Sequence, residues 1–310
     1  MDLLYILLGV LCLYLGGEGL VRGASALGRA MGMSPLVVGL TFVSMGTSSP
    51  ELAASIAAVL QNAPAVSFGN VVGSNIANLA LILGLVAVLH PLRIDREFLR
   101  RDIPLLLIVS IWCLWLSWNG WITRLEGLLL LGVLALYLTL LLKTSAKRPV
   151  LSDSSPSAKP PLSNLRSSIF VGLLGIGLLV LGAHLLVNGS VNLARSHGIS
   201  ERVIGLTIVA FGTSLPELAS SLVAVLRKES SLILGNLIGS NIFNILLIFG
   251  VTALVRPIAV SGAGVMVDLA MMIGVSILVT LFMLSGRRLN RIEGVILVAL
   301  YCGYVGSLFR

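Results

Sequence analysis

A short polar string occurs twice in this chain, each time inside apolar sequence. Residues 46–51 read Gly46-Thr47-Ser48-Ser49-Pro50-Glu51, and residues 212–217 read Gly212-Thr213-Ser214-Leu215-Pro216-Glu217. A second string follows each at the same distance. The first is Gly69-Asn70-Val71-Val72-Gly73-Ser74-Asn75-Ile76-Ala77-Asn78, and the second is Gly235-Asn236-Leu237-Ile238-Gly239-Ser240-Asn241-Ile242-Phe243-Asn244. Equivalent residues are 166 positions apart in both strings. Gly23 and Gly189, Arg29 and Arg195, Gly39 and Gly205, Gly84 and Gly250, and Pro91 and Pro257 keep that offset. Two copies of one unit follow one another, and the fold has to accommodate two equivalent sets of polar groups in apolar surroundings.

Hydrophobic residues make up 57% of the chain and charged residues 11%, against about 25% charged in a soluble domain. This composition implies a polytopic membrane protein. Apolar runs long enough to span fall at about 3–22, 36–60, 66–90, 103–120, 122–142, 168–190, 203–226, 230–255, 262–284 and 292–309. The expected fold is an all-α membrane protein with ten transmembrane helices, a first five-helix repeat over 1–142 and a second over 167–310. Residues 143–166 are rich in Ser, Pro and Lys and read as a solvent-exposed linker. The first apolar stretch starts at Leu3 without a basic region before it and reads as a span, not as a cleavable leader.

The net charge of +8 reflects topology, with no basic, aromatic-interleaved stretch for nucleic acid. With the N-terminus outside, 16 Lys and Arg fall in inward loops and 5 on the outward side. This bias orients the chain N-out, C-out and linker-in. An odd number of spans per copy inserts the second copy upside down, so the duplication predicts an inverted-topology repeat. Cys12, Cys113 and Cys302 lie inside apolar segments without metal-ligand spacing and read as packing residues.

Pro50 removes an amide donor, and Gly46 weakens the helix beside it, so a break is predicted there that frees carbonyls around Ser44 to Thr47. Freed carbonyls are tolerated in hydrocarbon only where they line protein or a wet cavity. Hard cations take oxygen ligands, and Thr47, Ser48 and Glu51 supply more of them. Ser48 and Glu51 share a helix face, and the second copy offers Thr213, Ser214 and Glu217. Ser74 and Asn78, and likewise Ser240 and Asn244, are four apart on one face. Gly69 with Gly73, and Gly235 with Gly239, predict close helix approach. The set contains no His, Cys or Met, which disfavours soft metals. Two carboxylates in mid-membrane cost roughly 2.5–3.5 kcal/mol each on the insertion scale. One divalent cation, two monovalent cations or two protons neutralise both, and such alternative occupancy is what exchange requires.

The doubled pattern G-T-S-x-P-E with G-N-x-x-G-S-N-x-x-N resembles the two alpha repeats of the sodium/calcium exchanger family, prokaryotic type, within the cation/calcium antiporter superfamily. The resemblance covers essentially the whole chain. It implies exchange of Ca²⁺ against Na⁺ by alternating access, with the first and sixth helices sliding against the other eight. It further implies Ca²⁺ ligation by Glu51, Glu217 and the carbonyls of Thr47 and Thr213. Sodium sites would add Ser48, Ser74, Ser214, Ser240 and the carbonyls at Ser44 and Ala210, and Asn78 and Asn244 would line the middle. Two departures stand out: Asn244 occupies a position where Asp is common, and Ser44 one where Ala is common. The implied partners are inorganic cations and the lipid bilayer, and no cofactor beyond the transported ions is implied. The location implied is a prokaryotic inner membrane.

The nearest alternative keeps the fold and replaces Na⁺ with H⁺, although the serine and amide oxygens favour Na⁺. A cation channel fits less well, since inverted halves meeting at a closed site favour alternating access. An intramembrane enzyme lacks any Ser-Lys, Asp-Asp or His-Glu-x-x-His constellation in the spans. Glu18, whose repeat equivalent is His184, reads as a helix-end partner of Arg22 one turn away. Asp268, near the start of the ninth span, reads as interfacial.

Overall fold

In a computed structural model, residues 2–145, 162–197, 210–260 and 264–308 are described. Helix α1 is Asp2–Ala30. The next apolar stretch is divided into α2 (Pro35–Val38), a wide π-helical turn (Gly39–Val43), α3 (Ser44–Thr47) and α4 (Ser49–Leu60). After it come α5 (Pro64–Ile76), a second π-helical stretch (Ala77–Ile82) and α6 (Leu83–Leu89). Strand β1 (Leu92–Arg93), α7 (Arg96–Leu116), β2 (Trp121–Ile122) and α8 (Arg124–Ser145) complete the first copy. The second copy holds α9 (Leu162–Ser196), α10 (Ala210–Gly212), α11 (Leu215–Leu226) and α12 (Ser230–Phe243). It continues with a third π-helical stretch (Asn244–Ile248), α13 (Phe249–Val255), β3 (Ile258–Ala259), α14 (Val265–Gly286), β4 (Arg288–Leu289) and α15 (Arg291–Ser307). Most of the linker and the predicted helical start at 203–209 lie outside the described residues.

Among the described residues, six helices are long and apolar enough to cross a membrane. The stretches Pro64–Leu89 and Ser230–Val255 have 78% of their apolar window buried, against 33% for Asp2–Ala30 and 22% for Leu165–Leu193. The sequence explains this difference. Leu3, Leu7, Val10 and Leu11 of α1 are exposed apolar side chains suited to lipid, whereas α5 and α12 carry the small and polar motif residues. Helix α1 runs eight residues past its predicted end, and α7 starts seven residues before its predicted one. The charged first turns of α7 stay helical because Arg101 pairs with Glu97 at 3.5 Å and with Asp102 at 2.9 Å.

The chain divides into two compact units, Met1–Thr47 with Leu138–Asn236 and Ser48–Tyr137 with Leu237–Arg310. Each unit draws on both sequence copies. In the first, α1 and α9 pack antiparallel through two series of glycines seven residues apart, Gly9, Gly16 and Gly23 in α1 and Gly175, Gly182 and Gly189 in α9, with Gly9 meeting Gly182 and Gly16 meeting Gly175. A Cβ added at Gly16 would lie 2.6 Å from the amide nitrogen of Leu179, and one at Gly182 would lie 2.7 Å from that of Leu13. These two contacts exchange under the 166-residue offset. So do Gly9 against Leu186 and Gly175 against Leu20, at 2.7 and 2.4 Å. The pairing is therefore two-fold symmetric at backbone level, and only glycine permits the approach.

The second unit repeats the same logic. Gly84 and Gly294 pack backbone to backbone, as do Gly127 and Gly250. Two short antiparallel clips, β1 with β4 and β2 with β3, join a loop of one copy to a loop of the other. Tyr137 Oη donates to Asp102 Oδ1 at 2.9 Å, and Tyr304 Oη donates to Asp268 Oδ1 at 2.7 Å. Asp102 and Asp268 are repeat equivalents. Asp268, read as interfacial from the sequence, is thus half of a doubled tyrosine–aspartate tie.

Candidate cation-binding residues

The helix break falls at the motif in both copies, at Ser48 alone in the first and at Thr213 and Ser214 in the second. Ser48 has φ −81° and ψ 2°, and α4 resumes at Ser49 with Pro50 in its first turn. Ser214 has φ −90° and ψ 7°, and α11 resumes at Leu215 with Pro216 in its first turn. Glu51 and Glu217 each occupy the first turn of the resumed helix, where unbonded amides and the helix dipole favour a carboxylate. Both glutamates are 0% exposed.

In the first unit, Thr47 Oγ1 donates to the Ser44 carbonyl at 3.4 Å and to Asn236 Oδ1 at 3.2 Å. Asn236 Nδ2 donates to Ser220 Oγ at 3.1 Å and to Ser221 Oγ at 3.4 Å, and Ser220 Oγ donates to the Glu217 carbonyl at 3.1 Å. Ser44 and Ser214 are fully buried, and Ser214 Oγ has no hydrogen-bond partner among the described residues. Thr213 is half-buried, and Ala210 opens α10. Gly39 and Gly235 bring α2 and its π-helical turn against α12, for a Cβ at Gly235 would lie 2.4 Å from the Leu36 carbonyl oxygen.

In the second unit, Asn70 Nδ2 donates to the Glu51 carbonyl at 3.1 Å and to Ser55 Oγ at 2.9 Å. Ser48, Ser74, Asn75, Asn78, Ser240, Asn241 and Asn244 are all buried. A π-helical stretch follows Ile76 and includes Asn78, and another begins at Asn244. Such widened turns shift the side-chain stagger and are frequent at functional sites. Both polar atoms of Asn78 and Oδ1 of Asn244 are buried without a hydrogen-bond partner among the described residues. Buried amides normally find partners, so the two open oxygens suit a cation and the open Asn78 NH₂ suits a water.

Among the described residues a Cβ at Gly69 or Gly73 would meet nothing within 4 Å. Gly205, the repeat equivalent of the Gly39 that meets Gly235, lies outside the described residues. Glu18 pairs with Arg22 at 2.6 Å as its spacing suggests, but it also accepts from Nε of Arg227 at 3.1 Å and pairs with Nη2 of Arg227. The glutamate therefore ties α1 to the end of α11. Asn70 and Asn236, left out of the sequence-derived ligand set, hold the helices that carry Glu51 and Glu217. The 166-residue offset relates Asn70 to Asn236 and Ser55 to Ser221, and that equivalence was the available signal.

Each unit thus carries long apolar helices and a buried glutamate accompanied by hydroxyl and amide groups, the features of a membrane protein that handles cations. Comparison with known proteins sharpens the class. The family described as "Sodium/calcium exchanger protein" matches the chain twice, over residues 1–143 and 167–310. The "Sodium/calcium exchanger MaX1" of Methanosarcina acetivorans is 34% identical over 344 residues, covering 99% of this chain and 98% of that protein. The "Inner membrane protein YrbG" of Escherichia coli is 35% identical over 282 residues, covering 89% and 86%. A structure of the sodium-calcium exchanger NCX_Mj, soaked with 10 mM Na⁺ and 10 mM Sr²⁺, superposes with a TM-score of 0.85 at 32% identity, covering 99% and 98%. The chain belongs to the sodium/calcium exchanger family, a family of membrane transporters and not of catalytic enzymes.

Proposed function

We propose that the protein is a secondary-active antiporter that exchanges Ca²⁺ against Na⁺ by alternating access. The observation that carries this reading is the pair of fully buried glutamates, Glu51 and Glu217, each at the start of a resumed helix and among neutral oxygens. We assign them as Ca²⁺ ligands together with the carbonyls of Thr47 and Thr213. Ser48, Ser74, Ser214 and Ser240, the carbonyls of Ser44 and Ala210, and the amides of Asn78 and Asn244 supply Na⁺ ligands and line the site. A divalent ion needs both negative charges, whereas Na⁺ is served by neutral oxygens around one of them. The antiparallel, offset-related pairing of α1 with α9 supports the ten-helix inverted repeat that alternating access uses. The deciding experiment is ⁴⁵Ca²⁺ uptake into Na⁺-loaded proteoliposomes. Uptake driven by an outward Na⁺ gradient is expected. Uptake that follows only a pH gradient would replace Na⁺ with H⁺.

Removing one hydroxyl ligand, in Ser74→Ala or Ser240→Ala, should raise the Na⁺ concentration for half-maximal exchange several-fold, with less change in Ca²⁺ affinity. The loss is about 1 kcal/mol, comparable to one net hydrogen bond. Exchange should be independent of K⁺, since Asn244 adds no further charge. A Na⁺ titration with and without K⁺ measures both, and an unchanged Na⁺ dependence in both variants would remove the hydroxyls from the site.

The basic-residue bias places the linker in the cytoplasm and both termini outside. In a variant lacking Cys12, Cys113 and Cys302, Ser157→Cys should resist a membrane-impermeant thiol reagent in intact cells and react after lysis. Labelling before lysis would reverse the topology.

A further inference from the structure

The repeat makes Asn75 equivalent to Asn241 and Asn78 equivalent to Asn244, yet their hydrogen bonds are not equivalent. Asn244 Nδ2 donates to Asn75 Oδ1 at 3.1 Å. The symmetry-related bond, between Asn78 and Asn241, is missing. Both polar atoms of Asn78 and Oδ1 of Asn241 have no hydrogen-bond partner among the described residues, and Asn241 Nδ2 donates to the Leu237 carbonyl of its own helix at 2.7 Å. The equivalent asparagine is therefore buried with no bond from its amide oxygen to the partner helix. Packing alone does not require the Asn75–Asn244 bond.

That bond has a consequence for charge. A side-chain amide offers a donor and an acceptor of nearly identical shape, and its neighbours decide which end points where. Asn75 Nδ2 contacts the Asn241 carbonyl oxygen at 3.4 Å and Met272 Sδ at 3.6 Å. Neither atom can donate, so the Asn75 amide has one sensible orientation, with Oδ1 toward Asn244. Asn244 must then turn its NH₂ to Asn75. Its Oδ1 is left buried and open, an acceptor for a cation. The flipped amide would present two N–H dipoles there and repel one.

We propose that Asn75 is a positioning residue that fixes the Asn244 amide with its oxygen toward the transported cation. The inference rests on the cation role proposed for Asn244. It yields a relation that a purely structural role for Asn75 does not. A carboxylate presents oxygen whichever way it is turned, so a chain carrying Asn244→Asp has no need of an orienting partner.

The test is a two-by-two comparison of the full chain in proteoliposomes: the native sequence, Asn75→Leu, Asn244→Asp and the double variant. Leucine keeps the approximate volume and removes both polar atoms, and Asn75→Ala replaces it if the leucine variant is not recovered folded. Asn75→Leu should raise the half-saturating Na⁺ concentration about three- to tenfold, the range set by one net hydrogen bond, with the maximal rate changed less. In the Asn244→Asp background the same substitution should shift it less than about twofold, the residual left once no orientation is needed. The Na⁺-induced rise in melting temperature of the detergent-solubilised protein should show the same dependence on background without any transport step. An equal shift in both backgrounds makes Asn75 structural and overturns the inference, as does no shift in the native background. A native chain that fails to exchange Ca²⁺ for Na⁺ overturns the proposed function instead, and the melting series then decides the role of Asn75 alone. Absence of cation-induced stabilisation in the native chain as well overturns both.

Discussion

Replacing Glu51 or Glu217 with Gln will abolish Ca²⁺ transport and leave a folded protein. Glutamine keeps the size of the side chain and most of its hydrogen bonding but removes one of two charges facing a divalent ion. A unit charge about 4 Å from a cation is worth about 4 kcal/mol per cation charge at an effective dielectric constant of 20, so affinity should fall by about a thousandfold or more. The folded state should not suffer. Each carboxylate is fully buried, and a charge at mid-membrane costs roughly 2.5–3.5 kcal/mol on the insertion scale. The neutral variants should therefore melt no lower than the native chain in the absence of Ca²⁺, and they should lose the stabilisation that Ca²⁺ gives the native chain. Flux and melting curves with and without Ca²⁺ check both halves of the expectation. Near-native exchange in either Gln variant would exclude a site that needs both carboxylates.

The sequence carried the local chemistry well because that chemistry is local. Gly46, Pro50 and Glu51 lie within one and a half helical turns, so a break with a carboxylate just beyond it can be read from spacing, and the one-residue interruption at Ser48 is where that spacing puts it. The pairing of elements was less accessible. Nothing in the order of the spans says that α1 packs on α9 or that β1 pairs with β4, since these contacts join residues about a repeat apart. The seven-residue glycine series was present in both copies, but it becomes informative only when both helices are laid against each other. The small-xxx-small spacing of Gly69 and Gly73 has the complementary limit. Small-xxx-small spacing says that a close approach is permitted, and the neighbouring backbone decides whether it happens. Glu18 shows the same limit, since its i, i+4 partner Arg22 was visible and its distant partner Arg227 was not. Amide orientation at Asn244 lies further still from the sequence, because it depends on which atoms of Asn75, Asn241 and Met272 converge.

A methyl group added at Gly175 will separate α1 from α9, and the same methyl at Gly177 will not. Both residues lie in α9, two positions apart and on different faces. A Cβ at Gly175 would lie 2.4 Å from the Leu20 amide nitrogen and 2.8 Å from the Gly16 carbonyl oxygen, whereas one at Gly177 meets nothing within 4 Å among the described residues. The clash is with backbone, so no side-chain rotation relieves it. The helices must move apart, and the neighbouring approaches at Gly9, Gly16 and Gly182 loosen together because they share one interface. Overpacking of this kind costs about 1–3 kcal/mol, more for valine than for alanine, while removing a helical glycine at an unconstrained position gains up to about 1 kcal/mol. Gly175→Ala should therefore melt below the native protein, Gly175→Val lower again or fail to fold, and Gly177→Ala at or above it. Because α1 and α9 pair through equivalent glycines, Gly16→Ala should behave as Gly175→Ala does, and combining the two should cost less than the sum of the single changes once the interface has opened. Melting curves of the detergent-solubilised variants measure this order. Equal stability of Gly175→Ala and Gly177→Ala would mean that the two helices are held apart from the backbone contact described above.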